Sequence, residues 1–240
     1  MTALGFAFAL KMCGGLMGGL PPTTPASVER ALLDDPEAGQ VFVTIKRTYP
    51  QEFDGLKSEI ARRGAEFQSN EGITNGARAY LLAAMKRHLG EIAQAPHTAL
   101  SDYRKAEINS VRALQAGDVA ACAGYFSTGV INLRDGTPEM KNAMKDFQIN
   151  TWTTEAAGRD QPAKRDVSKP GPQDVAAIAA GAVRSGSTQD DVNNLLRDMP
   201  MSDKARCGAG LALMEGIDAL PDAKADNFTA FLVQTAAARR

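Results

Sequence analysis

Two cysteines stand out among the residues of this chain that could do chemistry. Cys122 lies in Ala-Ala-Cys-Ala-Gly and Cys207 in Arg-Cys-Gly-Ala-Gly, so small residues surround both thiols and would let two helices approach closely. A disulfide needs Cα atoms within about 7 Å of each other. A disulfide between them would close a loop of about 85 residues and stabilise the fold by about 4.5 kcal/mol on the chain-entropy model. The sequence therefore predicts a possible disulfide between Cys122 and Cys207.

Two other interpretations of these cysteines stay open. Cysteine is often buried as a small apolar residue, so both thiols could be free and inert. Alternatively, the neighbouring Arg206 would favour the thiolate of Cys207 and make it a nucleophile. No histidine lies near Cys207 in sequence to act as its base.

Pairs of carboxylates are the next candidates, because two acids in one cleft can act as general acid and general base. Glu52 with Asp54, and Asp190 with Asp191, have a suitable spacing. Acids are also favoured at helix N-termini by the helix dipole, and both pairs fall near predicted helix starts. We expect these acids to be structural and predict no catalytic residue.

The two histidines do not form a metal site by sequence. His88 lies near the end of a predicted helix, where positive charge is favoured, and His97 follows Pro96 in a predicted solvated turn or cap. Neither belongs to an HExxH or CxxC motif. Gly208-x-Gly210 lacks the strand that precedes a nucleotide-binding loop, and no GK[ST] or GxSxG motif occurs. We therefore expect no metal and no cofactor, and a non-catalytic protein in preference to an enzyme.

Composition excludes some partners. Lysine and arginine number 27 against 28 acids, so the chain has no net positive charge to hold nucleic acid. Hydrophobic residues make up 44% of the chain, which is ample for a buried core. We predict no binding to nucleic acid.

Helical periodicity and helix-start signals recur along the chain. Abundant alanine, few aromatics and few β-branched clusters favour helices over strands. Proline followed by an acid or amide, typical of a first helical turn, occurs at Pro50, Pro138, Pro172 and Pro221. We predict an all-α, irregular multi-helix bundle, with Val130–Leu133 as a loop and Trp152 in the core. The predicted helices are 27–33, one opening at Asp35-Pro36, one opening at Pro50, 74–93, 100–114, a short one holding Cys122, one capped by Thr137, 173–184, 189–198, 203–219 and 222–237.

An apolar, Gly-rich block from Ala3 to Leu20 precedes this helical body. As a helix it would extend about 27 Å, slightly less than a hydrocarbon core of about 30 Å. Lys11 near its centre opposes insertion, and no basic residue precedes the block as in a cleaved signal. We predict a membrane anchor or signal-like segment. Lipidation at Cys13, or a buried core helix of a soluble protein, are the alternatives.

We divide the chain by composition into four parts. These are residues 1–22, the apolar anchor or signal-like segment; 23–158, the first part of the helical body; 159–172, an exposed linker; and 173–240, C-terminal helices packed on the first part. The linker is rich in charged residues and proline and has no hydrophobic period.

These features predict an envelope-associated protein, anchored in the membrane with its body outside the cytoplasm, as in a periplasm. The expected role is non-catalytic binding of other proteins or of itself. The alternatives are an enzyme whose site forms only in the fold, and a carrier of a lipid or other apolar small molecule held near Met140–Phe147. A soluble cytoplasmic protein is the alternative location.

Overall fold

The computed structural model describes residues 24–67, 70–129, 136–165 and 167–238. Over these ranges the chain forms eleven α-helices and no strand, which confirms the prediction of an all-α fold. The helices are α1 Pro25–Leu33, α2 Gly39–Thr48, α3 Pro50–Phe67, α4 Asn70–Ile92, α5 His97–Gly117, α6 Val119–Thr128, α7 Pro138–Asp160, α8 Pro172–Arg184, α9 Gln189–Leu196, α10 Asp203–Asp218 and α11 Asp222–Ala238.

Two sequence predictions lie outside the described residues. These are the N-terminal block with Cys13, and the loop at Val130–Leu133. In the part of the chain that is described, none of the helices has the length and apolar character needed to cross a membrane.

Local start signals fix several helices where the sequence predicts them. Pro50, Pro138 and Pro172 are the first residues of α3, α7 and α8. The hydroxyl of Thr188 accepts a hydrogen bond from the backbone N–H of Asp191 at 3.0 Å and caps α9. These signals act within one turn of chain, which is why sequence alone reveals them.

Two predicted helix starts in the first fifty residues were wrong. Thr24, not Ser27, caps α1, and the two side chains form a reciprocal capping box with the opposing backbone N–H groups at 3.2 Å. The second helix begins at Gly39 and not at the proline after Asp35. The Asp35 carboxylate accepts from two following backbone N–H groups, at 2.9 and 2.6 Å, and thereby holds a turn ahead of the helix.

The chain divides into two compact units, and the boundary lies within α4, between His88 and Leu89. In the smaller unit α1, α2 and α3 pack on one another. Their apolar faces follow helical spacing, and the buried residues include Val28, Leu32, Phe42, Ile45, Phe53 and Leu56. The division that composition predicts at 159–172 stays a prediction.

Helix α10 is the centre of the larger unit, because it contacts α5, α6, α8, α9 and α11. Helix α5 packs along α7. Trp152 of α7 is 1% exposed, as predicted, and the rings of Tyr103 and Phe147 lie 5.6 Å apart. Residues 209–214 of α10 are buried without interruption, so this part of the central helix is surrounded by its neighbours.

The segment predicted as an exposed linker is partly fastened to the larger unit. Helix α7 continues to Asp160, and residues 161–165 and 167–171 are non-helical. The Arg165 guanidinium donates to the carbonyls of Ala93 at 2.9 Å and Ala95 at 3.2 Å, and to the Asp226 carboxylate at 3.3 Å. The neighbouring side chain of Lys164 is exposed.

Candidate functional site

The two cysteines singled out in the sequence meet between α6 and α10. The Sγ atoms of Cys122 and Cys207 lie 2.00 Å apart, at disulfide-bonding distance, and their Cα atoms are 5.4 Å apart. Both side chains are fully buried. Arg206 points to other groups, because it donates to the Asp198 carboxylate at 3.2 Å. A disulfide here would fasten α6 to the central helix of the larger unit.

Helices α6 and α10 also lie close together one turn beyond the cysteine pair. Gly210 lies three residues after Cys207, and a Cβ at this position would stand 2.5 Å from the ring atoms of Phe126. Only a residue without a side chain leaves room for that ring. The small residues around Cys207 predict close helix packing. At Gly210 this packing is the contact between the Phe126 ring and α10.

A cavity opens beside this contact, between α5, α6, α9, α10 and α11. It has about 90 Å³ of room for the centres of water-sized molecules. Its lining is mostly apolar and includes Ile108, Phe126, Leu195, Leu213, Ile217 and Leu232. The carrier alternative would hold its ligand near Met140–Phe147, but Met140, Met144 and Phe147 are buried side chains of α7 outside this lining.

The cavity wall holds a buried carboxyl group, that of Glu107 on α5. The residue is 3% exposed, and the hydroxyl of Tyr125 on α6 donates a hydrogen bond to its Oε1. Among the described residues no other group hydrogen-bonds this carboxyl. Burial raises the pKa of Glu107 to about 7, although the Tyr125 hydrogen bond acts in the opposite direction. A proton at this site is therefore exchangeable near neutral pH.

Arg104, one turn before Glu107, also lines the cavity and belongs to an ion-pair cluster. Its guanidinium donates to Asp226 at 2.8 Å and to Asp218 at 3.1 Å. Arg165 contacts the second oxygen of Asp226. Two guanidinium groups thus face two carboxylates, and these four side chains, which we call the ion-pair cluster, carry no net charge.

His97, predicted as a solvated turn or capping residue, is exposed as expected, but it also contacts an acid of this cluster. It is the first residue of α5, and its Nδ1 lies 3.0 Å from the Asp226 carboxylate. Its Nε2 lies 3.3 Å from the Asp222 carboxylate. The partners are more than a hundred residues away in sequence, so no local pattern could have revealed the contact.

The smaller unit contains a second polar network, centred on Glu52. Its carboxylate accepts from Arg87 at 2.5 Å and from Tyr80 at 3.1 Å, and lies 3.0 Å from His88 Nε2. Burial opposes ionisation, but hydrogen bonds from Arg87, His88 and Tyr80 together lower the pKa of Glu52. Asp54 bonds Lys57 instead, so the Glu52–Asp54 pair does not share a cleft. The network joins α3 to α4, which explains these residues structurally.

The other sequence candidates occupy helix positions. Asp190 and Asp191 lie in the first turn of α9, and the Gly208-x-Gly210 sequence lies inside α10. Over the described ranges, no group of three or more His, Cys, Asp or Glu residues is arranged to hold a metal ion.

Sequence reasoning missed Glu107, although a signal for it exists. Leu100, Tyr103, Val111 and Leu114 form the apolar stripe of α5, and Glu107 stands in the same stripe at helical spacing. A charged residue inside an apolar stripe is typical of a buried functional or structural acid. Its partner Tyr125 could be found only from the fold.

Comparisons with models of protein families, with curated proteins and with solved structures give no match to this chain.

Proposed function

We propose that this protein is a small-molecule-binding module of the cell envelope, and that the cavity beside α10 holds an apolar ligand. The observation that carries the proposal is the cavity itself, which combines a mostly apolar lining with a few polar groups. Small-molecule sites have this composition, since apolar surface provides affinity and a few polar atoms orient the ligand.

The size of the cavity favours a small ligand. A single water needs about 10–15 Å³ of room for its centre. The cavity has about 90 Å³ by the same measure, roughly six to nine times as much. This suits a ligand of a few heavy atoms or the end of a longer one, and a complete lipid chain would not fit without rearrangement.

Binding is tested by filling the cavity from α9. Leu195 and Leu196 both pack against the neighbouring core, but only Leu195 lines the cavity. Titration with 1-hexanol, followed by ligand-observed NMR, should show saturable binding to the wild type and to Leu196→Trp. Leu195→Trp should abolish it. Unchanged binding in a folded Leu195→Trp variant would locate the ligand elsewhere and overturn the proposal.

The envelope location rests on the apolar N-terminal block and on the cysteine pair at disulfide distance, since disulfides persist mainly in oxidising compartments. Alkylation of Cys122 and Cys207 in protein from its native cells, before and after reduction, tests it. A linked pair supports export of the body. Two free thiols would favour the cytoplasmic alternative.

Glu107 favours a second candidate function, an enzyme that uses general acid–base catalysis. A carboxyl with a pKa of about 7 in an apolar cavity is suited to move protons at neutral pH. Incubation of the wild type and of Glu107→Gln with a metabolite extract, followed by mass spectrometry, tests this role. A compound consumed by the wild type alone would support an enzyme.

A protein-interaction role, favoured by sequence, stays a prediction. The large apolar side chains that are exposed in the described part of the chain are Val43, Val119, Val175, Val183 and Met199. They are distributed over α2, α6, α8 and the loop after α9. The cavity therefore provides the stronger argument.

A further inference from the structure

The charged groups in the cavity wall bear on the class of ligand. The cavity is lined by one basic side chain, Arg104, and two acidic ones, Glu107 and Asp198, together with Tyr125. We infer that the ligand is an apolar amine whose ammonium group binds the carboxylate of Glu107. This inference rests on the proposed function, because it specifies the ligand of the same cavity.

Glu107 can accept a further hydrogen bond. Its Oε1 accepts from Tyr125, and within the described structure its Oε2 has no donor. An ammonium group would supply that donor and the missing positive charge at once. The resulting pair has no net charge, so an ammonium partner would offset the cost of a buried carboxylate.

Arg104 does not compete for the same role, because its charge is already balanced. Its Nε and Nη1 bond Asp218 and Asp226, the acids of the ion-pair cluster. A carboxylate ligand at Arg104 would approach these two acids and be repelled by them. The arrangement thus disfavours an anionic ligand even though an arginine lines the wall.

The third ionisable side chain, Asp198, is also paired. It lies 3.2 Å from a guanidinium nitrogen of Arg206. Glu107 is therefore the one of the three wall groups that lacks an oppositely charged partner among the described residues.

The test uses three ligands of equal chain length: hexylamine, 1-hexanol and hexanoate. Their dissociation constants for the full-length protein are measured by NMR titration at neutral pH. We expect hexylamine to bind at least about tenfold more tightly than either of the others, because hydrogen bonds between charged groups are the stronger ones. Glu107→Gln should raise the dissociation constant of hexylamine at least about tenfold and change that of 1-hexanol by no more than about twofold. Glu139→Gln, a change of an exposed acid at the start of α7, is the matched control and should leave all three unchanged.

The outcomes separate the inference from the function on which it rests. If 1-hexanol binds in the cavity but hexylamine binds no more tightly, the inference fails and the binding function stands. If hexanoate binds most tightly, Arg104 recognises the ligand and the inference fails likewise. If none of the three binds, the binding function itself fails. The order of the three dissociation constants for the wild-type protein decides between these cases even if Glu107→Gln does not fold.

Discussion

Glu107 occupies a position where an apolar residue would give a more stable helix contact. Its neighbours in the stripe of α5, Tyr103 and Val111, are fully buried. Burial of a carboxyl without a cation raises its pKa, and the hydrogen bond from Tyr125 compensates only in part. An acid kept in such a place at a cost in stability is typical of a functional site.

This cost gives a pH dependence of stability that should disappear in Glu107→Gln. The unfolded chain releases the Glu107 proton near its ordinary pKa of 4.5, and the folded chain retains it to about 7. The unfolded state therefore binds fewer protons across this window, so the free energy of unfolding falls as pH rises from 4.5 to about 7 and then levels off. The loss amounts to about 3 kcal/mol.

Urea unfolding at pH 4.5 and pH 8, followed by the fluorescence of the single tryptophan, Trp152, measures this effect in the larger unit. The free energy of unfolding of Glu107→Gln minus that of wild type should be about 3 kcal/mol larger at pH 8 than at pH 4.5. Glu139→Gln should show no such rise. A constant difference between Glu107→Gln and wild type would contradict the buried, uncompensated acid.

Gly210 gives a second prediction at the scale of one residue. In Gly210→Ala the new methyl group would stand 2.5 Å from the Phe126 ring, and such overpacking costs about 1–3 kcal/mol. Gly208→Ala in the same helix is the control, because its nearest neighbour would be Gln115 at 4.0 Å. Alanine is a better helix former there by about 1 kcal/mol. Thermal unfolding should therefore show a lower Tm for Gly210→Ala and an unchanged or higher Tm for Gly208→Ala.

Among the elements, α6 depends most directly on the cysteine pair. It has ten residues and packs on α5 and α10, and Cys122 lies at disulfide distance from Cys207 of α10. Tyr125 and Phe126, on the next turn of α6, form part of the cavity wall. The cysteine pair and the cavity wall therefore share one helix.

Replacing both cysteines by serine should destabilise the larger unit and weaken ligand binding. Loss of a native disulfide typically costs about 2–5 kcal/mol, and an 85-residue separation puts this bridge in the upper part of that range. The free energy of unfolding and the 1-hexanol affinity of Cys122→Ser/Cys207→Ser test this expectation. Reduced wild type should behave in the same way. Unchanged ligand affinity in the folded double variant would show that α6 keeps its place without the bridge.

At this scale the sequence predicts what is local and misses what is distant. The starts of α3, α7 and α8 were correct because proline acts within one turn. The cysteine pair was reachable because two thiols in small-residue surroundings have few alternatives. The contacts of His97 and Glu107 could not be predicted from the sequence, since their partners Asp226 and Tyr125 belong to other helices. The position of the cavity could not be predicted, because apolar residues such as Met140 and Phe147 fill a core as readily as they line a void.

For the whole molecule, the segment around Arg165 and the cysteine pair together predict how the chain responds to a protease. Lys164 is exposed in a non-helical stretch, so limited digestion with a lysine-specific protease should cut after it. Cys122 and Cys207 lie on opposite sides of this cut. The two fragments should migrate as one species without reductant and separate with it.

Mass spectrometry of the fragments identifies the cut. Arg165→Ala removes the bonds to Ala93, Ala95 and Asp226, and should therefore accelerate the cleavage. Lys169→Ala, in the same stretch, leaves these bonds in place and serves as the control. Fragments that separate without reductant would show that the cysteines are not linked.

The place of α10 in the chain also sets a schedule for synthesis. Cys207 leaves the ribosome 85 residues after Cys122, which at about 5–20 residues per second is roughly 4–17 s later. Until then α5, α6, α8 and α9 lack the helix against which all of them pack. The nascent chain therefore carries the Cys122 thiol without its partner, and open apolar faces, for several seconds, and its cavity can form only after α10 and α11 have been synthesised.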